Sequence, residues 1–153
     1  MDTPLRAHAL KVGVRPTGAT STEASVRGAV ATNSCTPPGL LERLALDGEW
    51  YVREKVAHNP NTPGPALTDL AHDTEPSVRR AAAANPSAST DALERLATDE
   101  DSWVRENVAH NPNTPEATLS ELAHDPELRV SLPALSALGQ RRDAPPASGS
   151  VAP

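Results

Sequence analysis

Residues 59–84 read NPNTPGPALTDLAHDTEPSVRRAAAA, and residues 111–136 read NPNTPEATLSELAHDPELRVSLPALS. The same frame fits NSCTPPGLLERLALDGEWYVREKVAH from Asn33 and NPSASTDALERLATDEDSWVRENVAH from Asn85, so Asn33, Asn59, Asn85 and Asn111 stand 26 residues apart. Self-similarity at a fixed period of this length marks an array of stacked supersecondary units. Residues 21–32, STEASVRGAVAT, fit the second half of a unit, with Val26, Arg27, Val30 and Ala31 in register. The array therefore opens on a half unit. Units one and three share LERLA while units two and four share NPNTP and LAHD, which points to duplication of a two-unit block of 52 residues.

Each unit encodes two helices. Leucines at 41 and 44, 67 and 70, 93 and 96, 119 and 122 are followed by Ala45, Ala71, Ala97 and Ala123. Spacings of i, i+3, i+4 make one apolar helical face. Thr62 before Pro63 and Thr114 before Pro115 suit a helix start, where a hydroxyl caps a first-turn N–H and proline loses no bond. Asp47, Asp73, Asp99 and Asp125, each with an acid two places later, suit the start of a second helix. That helix offers Val52, Val78, Val104 and Val130, then Val56, Ala82, Val108 and Ala134, to the core. It must end at Asn-Pro, because the residue before proline is pushed out of the helical region. Two helices of about nine residues are too short to stand alone in water. One unit's leucines and valines, at about 1.5–3 kcal/mol each, do not offset roughly 1–2 kcal/mol of backbone entropy per residue. Stacking is obligatory, and the expected fold is an all-α solenoid in which each unit touches its neighbours.

The chain has 153 residues, 37% of them apolar and 2% aromatic, with no Phe and a single Cys. An apolar share below the roughly 45–50% of ordinary globular chains excludes a large aromatic core. One cysteine makes neither an internal disulfide nor a thiolate metal site. No signal peptide or membrane-spanning stretch is visible, so the expected location is cytoplasmic. Residues 1–20 show no helical period, and 139–153 read GQRRDAPPASGSVAP. A flexible N-terminal segment (1–20), an array (21–138) and a disordered tail (139–153) are therefore expected. Within the array the half unit is 21–32 and the units are 33–58, 59–84, 85–110 and 111–138, the last helix worn by Ser131 and Pro133. Residues 33–138 hold 8 Lys+Arg against 17 Asp+Glu.

With N-P-N-T-P, L-x-x-L-A-x-D and V-R-x-x-V-A in register, residues 21–138 resemble the bacterial leucine-rich repeat variant family, similar in shape to HEAT and armadillo arrays. The resemblance implies a right-handed α-α superhelix of two helical layers, the second either α or 3₁₀. The family's founding example carries an iron–sulfur cluster in a Cys-rich segment; Cys35 stands alone, so no cluster is implied here. The resemblance brings no catalytic residue.

Arg27, Arg53, Arg79 and Arg105 form a ladder, one per unit. Such a ladder could grip phosphates or carboxylates, but each Arg also follows an acid by four residues (Glu23, Glu49, Glu75, Asp101), and the i, i+4 pair is the reading taken. His58, His110, His72 and His124 recur by duplication at spacings that make no metal motif. The four asparagines at the unit boundaries are read as bonding backbone groups left open by the turn. Trp50, Tyr51 and Trp103 are anchors if exposed and core fillers if buried. No nucleophile elbow or phosphate-binding glycine loop occurs. The candidate partner-binding residues are Trp50, Tyr51, Trp103, Arg53, Arg79 and Arg105, with no catalytic residue, cofactor or metal. The function expected is a non-catalytic scaffold for protein–protein interaction, with a basic partner suited to the acidic array. The alternatives are a HEAT-like nucleic-acid binder, disfavoured by that charge, and a truncated or relic repeat fragment.

Overall fold

A computed structural model describes residues 19–143. The expectations placed on residues 1–18 and 144–153 lie outside it. Nine helices are described: α1 (Ala19–Thr32), α2 (Pro38–Leu44), α3 (Trp50–His58), α4 (Gly64–Leu70), α5 (Pro76–Ala84), α6 (Thr90–Leu96), α7 (Ser102–His110), α8 (Glu116–Leu122) and α9 (Leu128–Asp143). Within the described residues there is no strand. The odd-numbered helices form one layer, α1 on α3 on α5 on α7 on α9, and the shorter even-numbered helices form the other. Both layers are α-helical. Bonds of the i→i−3 kind occur at helix ends in both layers, as at Asp73 N–H to Leu70 O and Asn59 N–H to Val56 O.

The core is the one the repeat spells out. Leu41, Leu67, Leu93 and Leu119, and Val52, Val78, Val104 and Val130, are wholly buried. Ala57, Ala83 and Ala109 lie buried in the long helices. Without bulky side chains there, helices too weak to stand alone can pack closely.

The Asn-Pro steps end the long helices as expected, with Asn59, Asn85 and Asn111 extended at ψ 126–127°. Their amides reach across the stack. Asn59 Nδ2 donates to Ala31 O and Asn33 O at 2.7 and 2.9 Å. Asn85 donates to Ala57 O and Asn59 O, and Asn111 to Ala83 O and Asn85 O, at the same distances. Each Oδ1 accepts the N–H two residues on. The helix-end carbonyls of one unit are thus satisfied by the next.

Two details differ from the sequence expectation. Thr62 and Thr114 do not cap the following helix: their hydroxyls donate back to Val56 O and Val108 O at 2.5 and 2.6 Å, and Pro63 and Pro115 are themselves the N-caps. Each hydroxyl adds a second bond to a helix-end carbonyl that already accepts the N–H of the boundary asparagine. Only unit three has a side-chain cap on its short helix, Ser89 to the Ala92 N–H. The last helix is not cut at 138 but runs through Pro133 to Asp143. There Arg141 Nη2 donates to Thr114 O at 2.8 Å and Pro112 O at 3.1 Å. The register mates of Pro112 O, namely Ser34 O, Pro60 O and Pro86 O, accept from Asn61, Ser87 and Asn113 of the following unit. Arg141 supplies the bond a further unit would make.

Asn85→Ala strands the buried Ala57 carbonyl, while Asn59 O keeps the Thr62 N–H, and is expected to cost roughly 1–3 kcal/mol. Asn33→Ala, at an exposed position whose amide makes no bond across the stack among the described residues, is expected to cost less than about 1 kcal/mol. Urea denaturation midpoints of the two variants provide the comparison.

Candidate functional site

The arginine ladder is the most ordered polar feature, and its partners are not the acids four residues back. Arg53 pairs with Asp73, Nε to Oδ2 at 2.6 Å and Nη2 to Oδ1 at 2.8 Å. Arg27–Asp47, Arg79–Asp99 and Arg105–Asp125 repeat the geometry, each twenty residues apart in sequence. Arg53, Arg79 and Arg105 add a bond from Nη1 to the carbonyl of their own unit's aspartate, Asp47, Asp73 or Asp99, at 2.8 Å. Each of these three guanidiniums therefore ties a loop in its own unit to the carboxylate of the next.

The i, i+4 reading is corrected for a physical reason. Glu49, Glu75 and Asp101 are extended N-cap residues rather than helical ones, so the geometry that joins i to i+4 does not apply. Glu23 does lie in a helix, yet Arg27 still turns to Asp47. A half-buried bidentate pair outweighs an exposed helical pair of about 0.2–0.5 kcal/mol. Side-chain exposure is 8% for both Arg79 and Asp99, against 38% for Arg27 at the stack's open end.

The aspartates also organise the turn. Asp47, Asp73, Asp99 and Asp125 Oδ1 each accept the N–H two residues on at 2.9 Å. The capping role expected of them falls instead to the next acid in unit three, where Asp101 accepts from Trp103 N–H. For Asp47, Asp73 and Asp99, burial pushes the carboxyl upward, but the arginine hydrogen bonds, the turn N–H and the guanidinium charge together hold it below the usual value. At Asp125 the Arg105 hydrogen bond leads, with the same net result.

The aromatic candidates divide. Trp50 and Trp103 are 44% and 50% exposed, while Tyr51 is half-buried, edge-on to Trp50 and within reach of Gly28. The Trp103 ring carries the Arg129 guanidinium 3.9 Å from its centroid and that of Arg80 at 5.5 Å. Arg80 also pairs with Asp101 at 3.0 Å. The contacts of Arg80 and Arg129 with Trp103, and the pairing of the aspartates with the ladder arginines, were not readable in the sequence, because they arise only on stacking. Arg53, Arg79 and Arg105, in contrast, are bonded within the array.

Among the described residues, exposed acids outnumber exposed lysines and arginines. Glu49, Glu75 and Glu127 are exposed in one register row at the starts of the long helices, Glu49 preceding Trp50 and the row's fourth member, Asp101, accepting the Trp103 N–H. His72 and His124 each bond the carbonyl four residues back through Nδ1, at 2.9 and 2.8 Å. Within the described residues no group of three or more metal-ligating side chains converges, and no helix is long and apolar enough to cross a membrane.

The family model for the leucine rich repeat variant matches residues 50–75, 76–101 and 103–127, together just over half of the chain. No curated protein matches the sequence. The matched segments begin at or next to the starts of α3, α5 and α7, so the family's frame and the asparagine frame describe the same period in different phase.

Arg79→Met leaves Asp99 buried without its counter-charge and is expected to cost about 3–5 kcal/mol, of which Arg79→Met/Asp99→Leu recovers about half or more. Because the four aspartates have lowered values in the folded state, their contribution is complete above the unfolded value near 3.9 and is lost as pH falls through the folded values. The melting temperature is expected to hold level above about pH 5 and to drop steeply below about pH 4, with a smaller acid drop in the double variant.

Proposed function

Because the chain belongs to the leucine rich repeat variant family, a family of helical repeat scaffolds, we propose that it is a non-catalytic scaffold that binds a basic segment of another protein along the row formed by Glu49, Glu75 and Glu127 with Trp50 and Trp103. The observation that carries this reading is the fate of the cations. Arg53, Arg79 and Arg105 are spent on inter-unit pairs, and Arg80 on Asp101, while the three glutamates of the row stay exposed. A surface with unpaired carboxylates beside exposed indoles favours lysine and arginine side chains, which gain charge attraction and ring stacking together. Arg129 on Trp103 shows the second contact made by the chain's own guanidinium. Phosphate recognition requires clustered, available positive charge, and the ladder arginines do not offer it.

The test is titration of the intact chain, followed by tryptophan fluorescence, with a Lys/Arg-rich peptide and with a short DNA duplex, at low and high salt. Saturable peptide binding that weakens with salt, and that falls by about tenfold or more in Glu49→Lys/Glu75→Lys/Glu127→Lys, is the expected result. Duplex binding at low salt, or peptide binding indifferent to the triple change, would overturn it.

A further inference from the structure

Every register position can be compared across the stack, and one end does not match the interior. Val52, Val78, Val104 and Val130 are fully buried, but their mate Val26 is 60% exposed. Ala66, Ala92 and Thr118 are buried, but their mate Leu40 is 37% exposed. Between these two residues runs an apolar groove lined also by Val30 and Leu44, with Arg27 and Arg43 on its rim. The reason is a missing layer element. Each of α3, α5, α7 and α9 carries the short helix that precedes it, α2, α4, α6 or α8. Within the described residues α1 carries none. In sequence register that helix corresponds to residues 12–18, VGVRPTG, two glycines and a proline without a leucine.

We propose that this groove is a docking site for a short acidic amphipathic helix of a partner protein, presenting L-x-x-L-A as the array's own short helices do. The apolar requirement follows from register: what fits over Val26 and beside Leu40 is what α2, α4, α6 and α8 place over the equivalent valines, leucines at i and i+3. The acidic requirement follows from the rim. Arg43 is exposed, while Arg27 and Asp47, the single carboxylate of the lining, neutralise each other in a bidentate pair, which leaves Arg43 as the rim's available charge. A second copy also offers an exposed leucine pair, Leu132 and Leu135 on α9. That stripe is flanked by Arg129, Arg141 and Arg142, which the rim repels. The site is separate from the acidic row and takes a ligand of opposite charge.

The probe is a fluorophore-labelled peptide, STDALERLATD, the chain's own residues 89–99, titrated into the full chain and read by anisotropy. Saturable binding is expected, weakened about tenfold or more by Val26→Glu, Leu40→Glu or Arg43→Glu and by replacing both peptide leucines with alanine. Retained helix content and denaturation midpoint keep the three chain variants interpretable, and Arg43→Glu changes only an exposed rim residue. Absence of saturable binding overturns the proposal, as does binding that ignores all three substitutions. Concentration-dependent self-association abolished by Leu132→Gln/Leu135→Gln and competed by the peptide would replace the partner helix with a second copy, and would overturn it too.

Discussion

A helix that ends inside a protein leaves carbonyls without donors, and a chain that ends one every 26 residues must find donors for them each time. In this array the donor is the next unit's asparagine, whose amide reaches one such carbonyl and also the carbonyl of the preceding boundary asparagine, while its oxygen closes its own turn. The proline after it enforces the helix break and the asparagine repairs it. Most else depends on this exchange. The unit cannot satisfy its own backbone, so it cannot fold by itself, and hydrophobic burial and polar satisfaction require the same neighbour.

The arginine–aspartate pairs do at the starts of the long helices what the asparagines do at their ends. Long helices in the middle of the stack are therefore fixed at both termini by groups borrowed from adjacent units. This arrangement determines surface chemistry as well as stability. A bidentate pair that is nearly dry in the stack's middle removes one cation per unit from the face of the molecule. Its aspartate is neutralised at the same time, so it is the remaining glutamates that set the surface potential. An acidic exterior here is the consequence of how the interior is tied together.

The period, the two helices per unit, the leucine and valine core and the boundary role of asparagine were all legible in the sequence, because each rests on local spacing or on proline. The arginine partners were not. Asp stands six residues before Arg53, Arg79 and Arg105 and twenty after all four arginines, while an acid lies four before each; choosing among them needs the distance between stacked units, which no local rule contains. The threonine caps failed for a related reason: Thr62 and Thr114 are buried, and their hydroxyls turn back to helix-end carbonyls that also accept the Asn59 and Asn111 N–H groups. Trp103 could be flagged as an anchor from its type, but its stacking on Arg129 joins units three and four and was invisible until they were placed together. Pro133 reads as a helix breaker, yet the packing of α9 on α7 and α8 carries the helix past it.

A periodic stack is symmetric in its interior and cannot be so at its ends, and the two ends here are resolved differently. At α9 the place of a following unit is taken by a helix that continues past the usual break, and Arg141 reaches the carbonyl that an incoming residue would have claimed. At α1 no short helix precedes the long one among the described residues, and Val26 is exposed. Both ends expose apolar side chains, but they differ in shape and flanking groups. The α9 end is a convex helix face with arginines near it; the α1 end is a groove between two helices whose interior mates show what it holds. The internal repeats thus act as bound-state references for the open end: the same backbone, at the same register, with the site filled. A helical partner there would need no new kind of interface, since the array already makes that contact four times within itself.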